Sequence, residues 1–213
     1  MQALAHPTGI AIVEVVTANS RLEGSPRTTG SQKTHSHALD LYVQSRLIIR
    51  RERREAGERS SVHSVNELAF GRPDEADLVD RLRTDGVVLL SLIAESGNRI
   101  VAHILFSRMW IETARESISA VALAPIAVLP AYQRQGIGGR LIRQGLDLLR
   151  SEGEHIVIVV GHPEYYPRFG FSRQKARFLE SPFPLEAFMA IELSPGALEG
   201  IQGKVKYPPA FGL

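Results

Sequence analysis

Apolar and polar positions along the chain change period several times, and each change marks an element. Leu47, Ile48 and Ile49 open the regular pattern as a short strand, after which Val62, Val65, Leu68 and Ala69 recur at helical spacing. A second helix is expected from Asp74, with Leu78, Val79 and Leu82 on one face. Two strand-like runs follow, Val87 to Ala94 and Arg99 to Ile111, joined by Ser96-Gly97-Asn98, which has the small residues a tight hairpin needs. A third run, Ile118 to Leu129, stops at Pro130, so the three together predict an antiparallel meander. Beyond Gln135 the period is helical again, with Gly138, Leu141, Ile142, Gly145, Leu146 and Leu149 on one face of a helix ending near Gly153. Ile156 to Val160 is an unbroken apolar run of strand length, the mark of a strand buried on both faces. The helix before it predicts a strand-helix-strand crossover and therefore one parallel pair. Ala187 to Leu193 reads as a last strand before a tail rich in Gly and Pro.

Residues 1–45 lie outside this pattern, and Gly24 to Ser36 is dominated by Ser, Thr, Gly and Pro, a linker composition. The expected organisation is an extension over 1–45, one catalytic domain over 46–195, and a tail over 196–213 packed on or near it. The 213 residues suit one such domain, and 44% hydrophobic with 23% charged residues is the balance of a globular chain. A formal charge of +2 is too small for a nucleic-acid-binding footprint. Arg50, Arg51, Arg53 and Arg54 cluster, but Glu52 and Glu55 interrupt them, which reads as a solvated face, with anion binding as the alternative. The absence of cysteine excludes disulfides and thiolate chemistry. No apolar run approaches the roughly 18 residues of a membrane span, and Glu14 interrupts the apolar start, so neither an anchor nor a cleaved signal is expected. These features together suggest a cytoplasmic protein, with no nucleic-acid or membrane partner and with a homodimer as an open possibility.

The chemistry concentrates where the third strand gives way to the helix. Pro130-Ala131-Tyr132-Gln133-Arg134-Gln135-Gly136-Ile137-Gly138-Gly139 places a glycine-rich turn at a helix start. The first N–H groups of a helix have no internal partners, the dipole adds positive potential there, and glycines let a phosphate approach the backbone. The turn is not a Walker loop, because G-x-x-x-x-G-K is absent, nor a dinucleotide fingerprint, because the third glycine would fall at Leu141.

The run from Leu129 to Gly138 resembles the coenzyme A motif of the GNAT superfamily of N-acetyltransferases, Q/R-x-x-G-x-G/A after a strand, with Gln133, Gly136 and Gly138 at its fixed positions. The order of strands and helices over roughly 46–195 is similar to that family's. The resemblance implies an α/β (mixed α+β) fold with a mostly antiparallel sheet, one parallel pair splayed open, and flanking helices. It implies that the backbone of Gln133, Arg134, Gln135, Gly136, Ile137 and Gly138 holds the pyrophosphate of acetyl-CoA. The strand end at Ala127 and Val128 would pair with the pantetheine arm, and a backbone N–H near Val128 would polarise the thioester carbonyl. In the same superfamily a tyrosine commonly stands four residues before a Gly-Phe pair and protonates the departing thiolate. Tyr166 stands so before Gly170-Phe171, although Val159 and His162 replace the Asn and Ala that often precede it.

The expected function is thus an N-acetyltransferase in which a primary amine, of a small molecule or a peptide, attacks the thioester directly. A covalent acyl-enzyme is not expected, since there is no Cys and no G-x-S-x-G elbow. His103, His162, Glu164, Glu67 and Glu75 are all candidates for the base that takes the amine's proton. No ligand spacing such as H-E-x-x-H suggests a metal. The alternatives are an acyl-CoA-binding regulatory module without turnover, and an enzyme of another phosphate ligand.

Overall fold

Alternation and turn chemistry build the first half of a sheet in the computed structural model, which describes residues 47–53 and 55–213. The extension over 1–45 and Arg54 fall outside the described residues. Strands β1 (Leu47–Arg51), β2 (Val88–Ser96), β3 (Arg99–Glu112) and β4 (Ser117–Val128) pair antiparallel in that order. The β2–β3 connection is a two-residue turn, Gly97-Asn98, with Gly97 at φ 62°, the left-handed conformation such hairpins require. Strand β5 (Ile156–Val160) is buried at all five positions and lies parallel to β4, while β7 (Phe188–Glu192) runs antiparallel on its far side. The sheet order is β1-β2-β3-β4-β5-β7, and β8 (Gly203–Lys206) joins the far end of β3 at Trp110–Glu112 and carries the two-residue β6 (Leu179–Glu180).

Helices cover both faces. His103 and Phe106, three apart in β3, point to opposite sides of the pleat. On the His103 side packs α1 (Ala56–Phe70), which in turn contacts α2 (Asp74–Thr84). On the Phe106 side lies α3 (Ile137–Ser151), where a Cβ on Gly145 would come within 2.4 Å of the Phe106 ring. Glycine there lets helix and sheet touch directly. The apolar face expected for α3 is buried as a set, whereas Leu68, expected on the buried face of α1, is 57% exposed and Asn66 takes its place in the interior. Arg50, Arg51 and Arg53 are engaged by carboxylates, namely Glu58 and Glu95, Glu152, and Glu55 and Glu58 respectively.

Asn66 is inside because it belongs to a polar chain along the face of the sheet that α1 covers. Ser91 gives its one hydroxyl proton to Glu52, so its oxygen receives the Nε2–H of His103 at 3.0 Å. That tautomer leaves Nδ1 of His103 to accept from Asn66 Nδ2 at 3.0 Å, and Arg83 closes the far end on Glu52. Burial, with a smaller contribution from Arg83, holds the His103 pKa down to about 3. The folded state therefore keeps this ring neutral while the unfolded chain takes a proton below about pH 6.5. Between those values the unfolded state binds more protons, so stability is full above pH 6.5 and falls as the pH drops. From pH 6.5 to 5, where most carboxylates are still ionised, urea titrations should show a loss of about 1–2 kcal/mol attributable to this group. In His103→Phe, less stable throughout because Ser91 and Asn66 lose their partner, that increment should vanish. An unchanged pH slope in the variant would refute the assignment.

Candidate functional site

The site begins with a defect in the sheet. The β3–β4 register passes from Phe106 opposite Leu123 to Ile104 opposite Ile126, so Ala124 and Pro125 both face Leu105. Such a bulge bends its strand, and Pro125 has no N–H to offer a neighbour. Strands β4 and β5 are in register only at Val121–Val157 and Ala122–Ile158; beyond the bulge they separate. Leu129 N–H donates to Val101 O, which by antiparallel alternation turns the N–H groups of Val128 and Ile126 away from β3, toward the opened side. The amide of Ala127, in contrast, is directed to β3.

The turn after β4 is built to present amides. A short 3₁₀ segment (Pro130–Tyr132) leads to Gln133, whose Nε2 donates to Val128 O at 3.0 Å and so ties the turn to the strand end. Arg134 at φ 60° and Gly136 at φ 78° are left-handed, with Gln135 between them on the ordinary side. Alternation of this kind gathers successive N–H groups into one concavity, and a non-glycine residue in that conformation is strain of the sort that clusters at ligand sites. No side chain caps the start of α3, and its first turn holds no acidic residue. Three donors at the positive end of a 15-residue helix are thereby left for a ligand.

These features open on a cleft of about 430 Å³. Ala127, Val128, Gln133, Arg134, Gly136, Ile137 and Gly138 line it, as does Ile126. Gln135 turns its side chain to Ala131 O instead and is not part of the wall. Gly138 marks how narrow the passage is: a Cβ there would stand 3.0 Å from Tyr165 Oη, 3.5 Å from Ile126 Cδ1 and 3.7 Å from Val128 Cγ2. The opposite wall was not foreseen from the sequence. It consists of Ala69 and Phe70 from α1, Arg143 from α3, and Tyr165, Arg168 and Phe169 from the segment after β5. The concentration of aromatic residues and arginine from Tyr165 to Phe169 was a usable signal, but nothing local ties α1 to the turn. Among the described residues no aspartate, glutamate or histidine lines the cleft.

Tyr166 lies at the start of a 3₁₀ turn (Tyr166–Phe169) and is wholly buried, edge-on to Tyr165 and Phe171 at centroid distances of 5.3 and 5.7 Å. It does not line the cleft; its neighbour Tyr165 does. The Tyr166 hydroxyl has no hydrogen-bond partner among the described residues, and burial pushes its pKa well above the ordinary phenol value. Burial raises Tyr165 as well, against the opposing charges of Arg168 and Arg143. Of the candidate bases, His103 is committed to its polar chain and too weakly basic to hold a proton near neutrality. Glu75 is buried and ion-paired with Arg72 at 2.6 Å, while Glu67, His162 and Glu164 are exposed and not among the lining residues.

A splayed mixed sheet, with an uncapped glycine-rich helix start at the mouth of the splay, defines the class of acyl-coenzyme A-dependent transferase folds. The family profile described as acetyltransferase (GNAT) domain matches residues 52–173, and the chain belongs to that family. It is 46% identical over 114 residues to the uncharacterized N-acetyltransferase YjhQ of Escherichia coli, covering 53% of this chain and 63% of that relative's length. To the uncharacterized N-acetyltransferase YhbS of Escherichia coli it is 34% identical over 146 residues, covering 67% of this chain and 86% of YhbS. The crystal structure of YhbS in complex with CoA superposes with a TM-score of 0.72 at 31% identity, over 79% of this chain and 93% of that one. A GNAT family acetyltransferase from Brucella melitensis in complex with acetyl-CoA gives 0.65 at 34% identity, over 78% and 97%.

Proposed function

We propose that the protein is an N-acetyltransferase that moves an acetyl group from acetyl-CoA to a primary amine by direct attack. The observation that carries this reading is the conjunction of open strand amides at Ile126 and Val128 with an uncapped, glycine-rich helix start. A pantetheine arm needs the first and a pyrophosphate needs the second. The site fits the coenzyme in a third respect: Gly138 leaves bare backbone where a side chain would close the passage.

In this mechanism the N–H of Val128 donates to the thioester oxygen as charge develops on it. The amine nitrogen bonds to the carbonyl carbon, the carbon–sulfur bond breaks, and the sulfur takes the Tyr166 hydroxyl proton, which solvent later restores. A phenol raised by burial keeps its proton at neutral pH, as a general acid must. With no carboxylate or imidazole among the described residues lining the cleft, the amine loses its proton to water in this reading. A second reading gives the acid role to Tyr165, favoured by its hydroxyl lying on the cleft wall over Gly138. The same proposal sets the reaction in the cytoplasm, consistent with a chain free of cysteine.

Acetyl-CoA should raise the melting temperature by several degrees at concentrations 100-fold above its Kd, because a ligand selective for the folded state stabilises it by about 2.7 kcal/mol there. ATP and NAD should not. Absence of any shift with millimolar acetyl-CoA or CoA would end the acyltransferase reading. Binding without thiol release against a broad set of amines would favour a regulatory acyl-CoA-binding module.

A further inference from the structure

Two arginines of the cleft wall hold positive charge that no carboxylate among the described residues neutralises. Arg143 reaches only Gly139 O, at 3.4 Å, and Arg168 donates from Nε to Tyr165 O at 3.1 Å; neither meets a carboxylate among the described residues. They come from opposite elements, α3 and the turn after β5, yet converge on one ring. The Arg143 guanidinium carbon lies 5.1 Å from the Phe169 centroid and that of Arg168 lies 5.8 Å from it, and Arg168 also sits 4.3 Å over Tyr165. Stacking on aromatic faces restrains long side chains that would otherwise lose much freedom on binding, and leaves the planar N–H edges free. Like charges gathered without an acid favour an anion between or beside them.

We propose that Arg143 and Arg168 bind the 3′-phosphate of coenzyme A and make the enzyme selective for CoA over dephospho-CoA; this rests on the acyltransferase reading above. The pyrophosphate has its own seat, the amides of the left-handed turn and the first turn of α3. Arg143 stands well over one helical turn further on from Gly136, on the exposed rim, and Arg168 meets it there over the shared Phe169 ring. The remaining anionic group of the coenzyme is the phosphomonoester on the ribose, a compact dianion near neutral pH with three acceptor oxygens. Guanidinium forks match that geometry.

Calorimetric titration of the wild type with CoA and with dephospho-CoA tests the selectivity on the ligand side, without any change to the protein. The wild type should prefer CoA by roughly 10- to 100-fold, the range of one or two charge-assisted hydrogen bonds. The double variant Arg143→Gln/Arg168→Gln, checked for an unchanged melting temperature, should bind the two ligands within about twofold of each other. Its affinity for dephospho-CoA should match that of the wild type. Equal wild-type affinity for both ligands overturns the proposal. An equal loss for both ligands in the double variant also overturns it, because the arginines would then be reading the pyrophosphate. If the wild type binds neither ligand, the acyltransferase reading falls, and this proposal with it.

Discussion

Gly138→Asp should abolish acetyl-CoA binding while leaving the protein folded. The residue occupies the second position of α3, where the N–H groups have no partner, so a carboxylate there is stabilised by the helix end by roughly 0.3–1 kcal/mol. The introduced anion would take the donors that the pyrophosphate needs and repel it as well. Its Cβ would also press on Tyr165 Oη at 3.0 Å, a contact relieved by a shift of a few tenths of an ångström in that side chain. A rise in Kd of at least about 100-fold is expected, corresponding to roughly 3 kcal/mol. Gly138→Ala, which narrows the passage without the charge, should cost about tenfold. Calorimetry on both variants, beside thermal melts of the unliganded proteins, makes the comparison. A folded Gly138→Asp protein with wild-type affinity would place the phosphate site elsewhere.

Tyr166→Phe should separate stability from rate. The hydroxyl is buried without a partner among the described residues, and an unsatisfied buried polar group costs about 1–3 kcal/mol, so its removal should leave the unliganded protein at least as stable as the wild type. General-acid catalysis is worth roughly 10² to 10⁴ in rate, so kcat should fall within that range while acetyl-CoA affinity hardly moves. Because burial raises the phenol, the wild-type rate should show no loss from its ionisation up to about pH 10. Tyr165→Phe, which removes the hydroxyl over Gly138, should be mild. Should the large loss appear in Tyr165→Phe and not in Tyr166→Phe, the acid is the residue on the cleft wall. Near-wild-type kcat in both variants, with chemistry rate-limiting, would assign the proton to water.

Much of this site could be read along the chain because its chemistry is made by backbone in consecutive residues. Gln133, Gly136 and Gly138 sit in one turn, and a turn that must bare its amides at a helix start announces itself through glycine and the change of period. Tyr166 was singled out through the family resemblance, on a spacing from Gly170 that is also local. Arg143 and Phe169 belong to different elements and acquire meaning only when their rings and guanidinium groups meet. Asn66 shows a similar limit: at helical spacing it reads as polar surface, yet it is fully buried because His103, 37 residues later, supplies a partner.

By itself the sequence determined the period of each element, the antiparallel start of the sheet, the parallel crossover from β4 to β5 and the glycine turn. All of these follow from interactions between residues near one another in the chain, or from the burial pattern of a single strand or helix. Only the tertiary structure decided where β4 leaves β5, since a bulge is a mismatch between two strands and neither strand alone contains it. It likewise decided that Tyr165 lines the cleft while Tyr166 is enclosed. Adjacent residues in a tight turn point in different directions, and which of them meets the cleft depends on the packing of Tyr165 over Gly138, an approach no spacing rule encodes.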